Sequence, residues 1–471
     1  MELKRKYGLL TAICMVVGTV IGSGVFFKAQ TILQKTGGNM PLGVVAWIIG
    51  GVIMLICSLA FATMATKYEK VNGLVDYSEA TVGKGYAYFV GWFSSAIYYP
   101  TLTSVLAWLS ARYTLVFITS VNPGFGLAIG AADGGCIIGP ECLALTMFYL
   151  CASYAVNALS PKLAGKVQVS CTVIKLIPLL LMAVGGIVYG LAHGITQQNF
   201  TTMAQVGEGT VTGNPLFASV VATAFAYEGW IITTSINAEL KDAKKNLPRA
   251  LVIGAIIVVA VYIAYYIGVA GGATNQQLID TGASVAFVTV FGNVFGNILN
   301  LFIAISCIGT MNGLMLGCCR GLYSVAVRGQ GPSPKVFSVV DKTTNMPTNA
   351  SIFGLFVCAF WGLYFYLANL SPNPAGWLGK FVFDSSEIPI VTLYAMYLPI
   401  FVMFMKRATE FGFVRRFLIP ILALLGSVFM VGACIYAHGI SNLYYFIIFA
   451  VIMAIGMLFY KKNPQSQLKK N

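Results

Sequence analysis

Few side chains in this sequence could do chemistry, and most of those lie inside apolar runs. Lys175 sits in the middle of Val169-Ser-Cys-Thr-Val-Ile-Lys-Leu-Ile-Pro178. Glu228 interrupts a second run at Phe225-Ala-Tyr-Glu-Gly-Trp230. A third run contains Gly18-Thr-Val-Ile-Gly-Ser-Gly-Val-Phe26, whose glycines and serine are poor helix formers in an otherwise helical stretch. One reading of these small residues is close helix packing. The other is an unwound segment whose freed N–H groups at Gly22, Ser23 and Gly24 could hold a carboxylate at a helix N-terminus. Unwound backbone at membrane depth is tolerated only where it lines a cavity or is buried in protein. Asp384, Ser385, Ser386 and Glu387 form one further polar cluster, read as facing water or, alternatively, the same site. The only two histidines, His193 and His438, fall in expected loops, so histidine-based metal or acid–base chemistry is not expected. Neither a Ser/His nor a Cys/His arrangement is evident, and the chain lacks a phosphate-binding Gly-Lys-Ser/Thr loop. The sequence therefore predicts no catalytic residue, no metal site and no cofactor.

The elements that must position these residues follow from composition. Only 9% of the 471 residues are charged, against roughly 25% in a soluble domain. The apolar set is 58% and the mean hydropathy +0.81. Such a chain cannot cover a water-soluble globule with polar surface, which excludes a soluble enzyme, a disordered protein and a secreted disulfide scaffold. Long unbroken apolar runs favour helices over a barrel. Twelve runs are long enough to cross a bilayer: 9–27, 42–65, 87–110, 143–160, 167–191, 215–236, 250–271, 287–316, 351–370, 381–405, 417–437 and 442–460. The basic start Met1 to Lys6 lacks a following cleavage site, so run 9–27 reads as a retained first helix.

The net charge of +14 reflects orientation rather than nucleic-acid binding. With twelve spans, 24 of the 29 basic residues fall on the side of both termini. Lys28, Lys35, Arg112 and Lys380 fall on the other side, and Lys175 lies within a span. Both termini are thus expected in the cytoplasm of a cell-membrane protein. Most of the eleven cysteines lie in apolar runs as small hydrophobes. Cys136 and Cys142, in a glycine-rich loop, are candidates for a disulfide. The basic segments Lys241–Arg249 and Arg328–Lys342 read as orientation signals, and the tail from Lys461 as a basic end near anionic lipid.

Interrupted spans at matching places in two halves are the best sequence pointer to a transporter site. The first and sixth spans match if two five-helix halves precede two extra helices. Together with Asn246-Leu-Pro-Arg-Ala250, the two interruptions resemble the L-amino-acid transporter family of the amino acid–polyamine–organocation superfamily. The likeness covers nearly all twelve spans, and it extends to bacterial serine/threonine and alanine–serine–cysteine exchangers. It implies an all-α membrane protein of twelve transmembrane helices with a LeuT-type 5+5 inverted repeat. Residues 1–192 would form the first repeat, 215–405 the second and 414–461 the two C-terminal helices, all within one transporter unit.

The resemblance implies site roles. Gly22, Ser23 and Gly24 would bind a substrate carboxylate through main-chain N–H. The carbonyls of Val20, Ile21, Phe225, Ala226 and Glu228 would be candidates for the α-ammonium. The Phe225 ring would gate the outer side, and Tyr262 would stand near the site. Lys175 would occupy the place where sodium-coupled relatives bind an ion, which implies transport without sodium. Two other readings of Lys175 are a snorkelling lysine and a protonation site. Glu228 departs from the small residue that many relatives carry. It is open to three readings: a structural pair, a partner for a cationic side chain, or a proton-coupling site.

The leading expectation is a sodium-independent exchanger of neutral L-amino acids, rocking spans 1, 2, 6 and 7 against the rest. The alternatives are a proton-coupled importer, an exchanger of cationic amino acids or diamines, and a membrane sensor. A membrane enzyme is the weakest. Expected partners are an amino acid substrate and the lipid bilayer, with no nucleic acid and no obligatory protein partner. Gly24→Val is expected to block the carboxylate pocket with little loss of expression.

Overall fold

The computed structural model describes residues 8–68, 73–122, 139–207, 213–231, 240–371 and 373–461. Among these, ten helices are long and apolar enough to cross a membrane. An eleventh span arises if the bent pair Leu9–Val20 and Gly24–Lys35, at 46° to each other, is counted as one. The shorter apolar helix Pro215–Ala226 stands where the sixth span was expected, and residues 232–239 beyond it lie outside the described residues. Large apolar side chains are exposed along Val414–His438 and Ser441–Leu458, as expected of lipid-facing helices. The chain is a multi-pass membrane protein.

Several boundaries differ from expectation. The third span runs Lys84–Val121 through a π-helical turn at Ser94–Tyr98, well past the expected 110. The expected eighth span divides at Gly292, whose φ of 80° ends the helix Ser284–Phe291, and Asn293–Ala326 follows. Cys142 is buried in the first turn of Pro140–Leu159, while Cys136 lies outside the described residues. His193 caps Ile187–Ala192 and His438 ends Ile419–His438, so both stand at helix ends rather than in open loops.

The described residues of Met1–Gly83, Lys175–Ile303 and Ile390–Gly439 form one compact unit. Here Met40–Lys67 packs against both Pro215–Ala226 and Ala243–Gly272. Small residues make this possible. A Cβ on Gly50 would run into the Thr223 hydroxyl, and one on Gly51 would come within 3.0 Å of the Tyr227 hydroxyl. In hydrocarbon, where no hydrophobic force drives helices together, such close backbone approach supplies the packing. The same device joins Ala243–Gly272 to the helical segment 182–192, where Gly268 and Gly271 meet Met182 and Gly186.

Residues 84–174, 304–389 and the described part of 440–471 form the second unit. Tyr99–Val121 packs there against Pro140–Leu159 and Thr348–Phe365. Buried polar groups pair across its helices. Asn157 Nδ2 donates to Asn312 Oδ1 at 2.8 Å, Ser104 Oγ to the Cys358 carbonyl at 2.6 Å, and Trp361 Nε1 to the Ala96 carbonyl at 2.8 Å.

Candidate substrate site at the crossing of two helix breaks

The first break has a local cause. Ile21 leaves the helix with ψ 103°, and Gly22 and Ser23 separate the two half-helices. Phe27 N–H, bonded to the Ser23 carbonyl at 3.0 Å, makes the first bond of the second half. The N–H groups of Ser23 to Phe26 therefore have no acceptor within their own helix, which leaves a partial positive pole. Ser23 is fully buried, and its Oγ has no hydrogen-bond partner among the described residues.

The second break follows Pro215–Ala226. Asn214 caps this helix at its start, accepting from Leu216 and Phe217 N–H at 3.0 and 3.3 Å, with Pro215 as first residue. The helix ends in a turn at Tyr227–Gly229, and Gly229 takes φ 109°, which favours glycine. The two breaks touch. A Cβ on Gly24 would lie 2.6 Å from the Ala226 Cα, and one on Gly229 would lie 2.8 Å from the Thr19 carbonyl oxygen. The N-terminal pole of Gly24–Lys35 thus meets the C-terminal pole of Pro215–Ala226.

Tyr262 links the breaks. Its hydroxyl lies 2.9 Å from the Val20 carbonyl and 3.1 Å from the Ala226 carbonyl, the last residue of each half-helix. Trp47 fixes the tyrosine by edge contact at 5.5 Å, and Tyr227 packs on it at 5.2 Å. Tyr227 is itself held by its hydroxyl on the Trp47 carbonyl at 2.9 Å. Two carbonyls expected to be open are therefore shared with a tyrosine, although each oxygen keeps a second lone pair.

Lys175 is buried, and its ammonium donates to the Gly18 carbonyl. That carbonyl belongs to the last turn of Leu9–Val20 and would bond Gly22 N–H if the helix continued. A cation at the negative end of a helix dipole is favourable, so the lysine stabilises the break.

Glu228 is buried, at 9% exposed. Phe225 packs edge-on against Phe27 at 6.3 Å. Val20, Ile21, Gly22, Ser23, Gly24, Phe225, Ala226, Glu228, Tyr262 and Lys175 thus belong to one compact unit, and the contacts above join the breaks, Tyr262 and Lys175.

Three charged residues expected at or beyond span ends are buried. Lys28, counted among the cations on the side opposite the termini, is only 1% exposed, and its Nζ lies 5.1 Å from the Phe27 ring and 5.3 Å from the Phe225 ring. Arg112, counted likewise, is buried within its helix beside Trp108 and Tyr113. Glu387, in the second unit like Arg112, is fully buried, so the cluster at 384–387 does not simply face water. Asp384 Oδ1 instead accepts from Ser386 N–H and Glu387 N–H at 2.7 and 3.2 Å, shaping the entry to Ile388–Arg407.

Opposite helix poles meeting in a dry setting suit a ligand carrying one negative and one positive end. A profile described as amino acid permease matches residues 7–459. The chain belongs to the amino acid permease family. This permease is 29% identical over 449 residues to the serine/threonine exchanger SteT of Bacillus subtilis (strain 168), with 93% of each chain covered. It is 26% identical over 468 residues to the mouse b(0,+)-type amino acid transporter 1, covering 98% of this chain and 88% of that one. The mouse large neutral amino acids transporter small subunit 2 is 29% identical over 352 residues, with 73% and 62% covered. The resemblance to L-amino-acid transporters is thereby established, and the permease is a transporter rather than an enzyme.

Proposed function

We propose that this permease is a sodium-independent exchanger of neutral L-amino acids working by alternating access in the cell membrane, with both termini cytoplasmic. The carrying observation is the contact of Gly24 with Ala226, which sets a helix N-terminus against a helix C-terminus. The N–H groups of Gly22, Ser23 and Gly24 receive the substrate carboxylate. The carbonyls of Val20, Ile21, Phe225, Ala226 and Glu228 receive the ammonium, and the Phe225 ring gates one side. Lys175, seated on the Gly18 carbonyl, supplies a fixed cation where a coupling ion would sit. The names of two relatives, a serine/threonine exchanger and a large neutral amino acids transporter subunit, favour neutral substrates and exchange. The fold reading that accompanies this is twelve spans: repeats over 1–192 and 215–405, then two helices over 414–461. The chain acts without an obligatory protein partner.

One observation favours a second substrate class. Buried Glu228, beside the second break, suits a cationic side chain or amine. A panel of labelled alanine, serine, leucine, lysine and ornithine, taken up into proteoliposomes with sodium or choline, separates these readings. Uptake only into amino-acid-loaded vesicles, unchanged in choline and greatest for a neutral label, is expected. Equal uptake into empty vesicles would overturn exchange and favour a proton-coupled importer.

A further inference from the structure

The turn that joins Ile388–Arg407 to Val414–His438 brings together four cations, Lys406, Arg407, Arg415 and Arg416, and one acid, Glu410. A loop that only sets orientation needs the charge but no fixed arrangement of it. This one is pinned. Arg416 Nε donates to the Met405 carbonyl at 2.8 Å, which ties the start of one span to the end of the other. Lys67 Nζ donates to the Arg407 carbonyl at 2.9 Å and to Glu410 at 3.0 Å, and Phe404 packs on Phe411 at 6.0 Å. The acid is thereby engaged. Arg407 is turned onto the Ala80 carbonyl at 3.2 Å, and Arg416 lies 4.8 Å from the Phe417 ring. Lys406 and Arg415 remain, each one residue from the bonded pair Met405 and Arg416. Both are exposed, and no acid among the described residues pairs with either.

Their depth in a bilayer follows from the helix. Val414, Leu418, Leu422 and Leu425 are exposed and recur at helical spacing, which marks a lipid-facing stripe. Exposed Phe413 and Val414 begin the stripe, and Arg415 follows directly. An arginine at the end of such a stripe lays its stem along apolar surface and carries its head to the phosphate level. There a guanidinium can hold a phosphate through two parallel N–H···O bonds, while an ammonium adds a compact charge. We propose that Arg415 and Lys406 bind the phosphate of an anionic phospholipid, with Phe413, Val414 and Leu418 against its acyl chain. The exposed apolar half of this surface selects a lipid over a soluble phosphate.

The test is thermal stabilisation of the purified full chain in neutral detergent, titrated with phosphatidylglycerol or with phosphatidylcholine. Phosphatidylglycerol should raise the melting temperature at much lower concentration than phosphatidylcholine. In K406Q/R415Q, the phosphatidylglycerol concentration giving half the effect should rise on the order of tenfold. K335Q/K342Q removes the same charge from another exposed loop and should leave that concentration unchanged. R415Q alone, expected to shift in the same direction, serves if the double variant does not yield folded protein. Equal responses to the two lipids would overturn the proposal. So would an unchanged response in the variants at 406 and 415, or an equal loss in K335Q/K342Q. Equal stabilisation by glycerol 3-phosphate, which has the phosphate but no acyl chains, would overturn a lipid as the ligand.

Discussion

The two helix breaks in this permease are built differently. The first, at Ile21 to Ser23, turns on the small residues Gly22 and Ser23, and a cation from another helix steadies it. It presents N–H groups on one side and spent carbonyls on the other. The second, at Tyr227 to Gly229, is a turn closed by a glycine at φ 109°, and it carries an acid of its own. One break is thus rich in donors and the other in acceptors. Their crossing sets unlike poles together without requiring a charged pair from side chains. Under the proposed function, a zwitterion would fit through backbone groups, and Glu228 would be left to sort substrates.

The strongest way to break this comparison is to push the crossing apart. Gly24→Val would place side-chain atoms where the Ala226 backbone already lies, at a cost of about 3 kcal/mol or more. The expectation that it blocks the site without loss of expression therefore gives way to loss of monodisperse protein, read by size-exclusion chromatography. Lys175→Met attacks only the first break. It leaves the Gly18 carbonyl without its charged donor, worth about 2 kcal/mol, and should cut exchange roughly thirtyfold. Tyr262→Phe attacks the link. Losing one shared hydroxyl should weaken alanine competition by about 1 kcal/mol, or roughly fivefold. Glu228→Gln sharpens the contrast, since it should weaken competition by lysine more than competition by alanine.

The smallest effect lies away from both breaks. Lys67 donates to Glu410 and to the Arg407 carbonyl, and its hydrogen bond holds the Glu410 carboxyl below the usual glutamate range. A pKa lowered on folding contributes stability above the unfolded value and loses it as pH falls through the folded one. The melting temperature of the unaltered protein should therefore fall slightly more than that of Lys67→Ala between about pH 6 and pH 3. An equal fall in both would show that this exposed pair contributes nothing.

Legibility differed between regions for physical reasons. Both breaks were readable, because glycines, a serine and an acid stand out in apolar runs. Lys175 was readable for the same reason. Tyr262 was not distinguishable by pattern from the many other tyrosines, and only the family likeness singled it out. The burial of Lys28 was not readable, because the polar residues Gln30 and Gln34 follow it. In the structure both amides donate to the Ile279 carbonyl, at 2.7 and 3.2 Å, and the half-helix continues to Lys35. The burial of Arg112 was not readable, because hydropathy falls near position 110 while the helix runs to Val121. Composition marks where apolar character ends, not where a helix stops being buried.

The most direct test of the central claim is competition against labelled alanine uptake by three ligands. L-Alanine carries both poles, alaninamide lacks the carboxylate, and propionate lacks the ammonium. If the two breaks each hold one end of a zwitterion, only L-alanine should compete well. Equal competition by alaninamide would contradict the claim that the N–H groups of the first break bind the carboxylate.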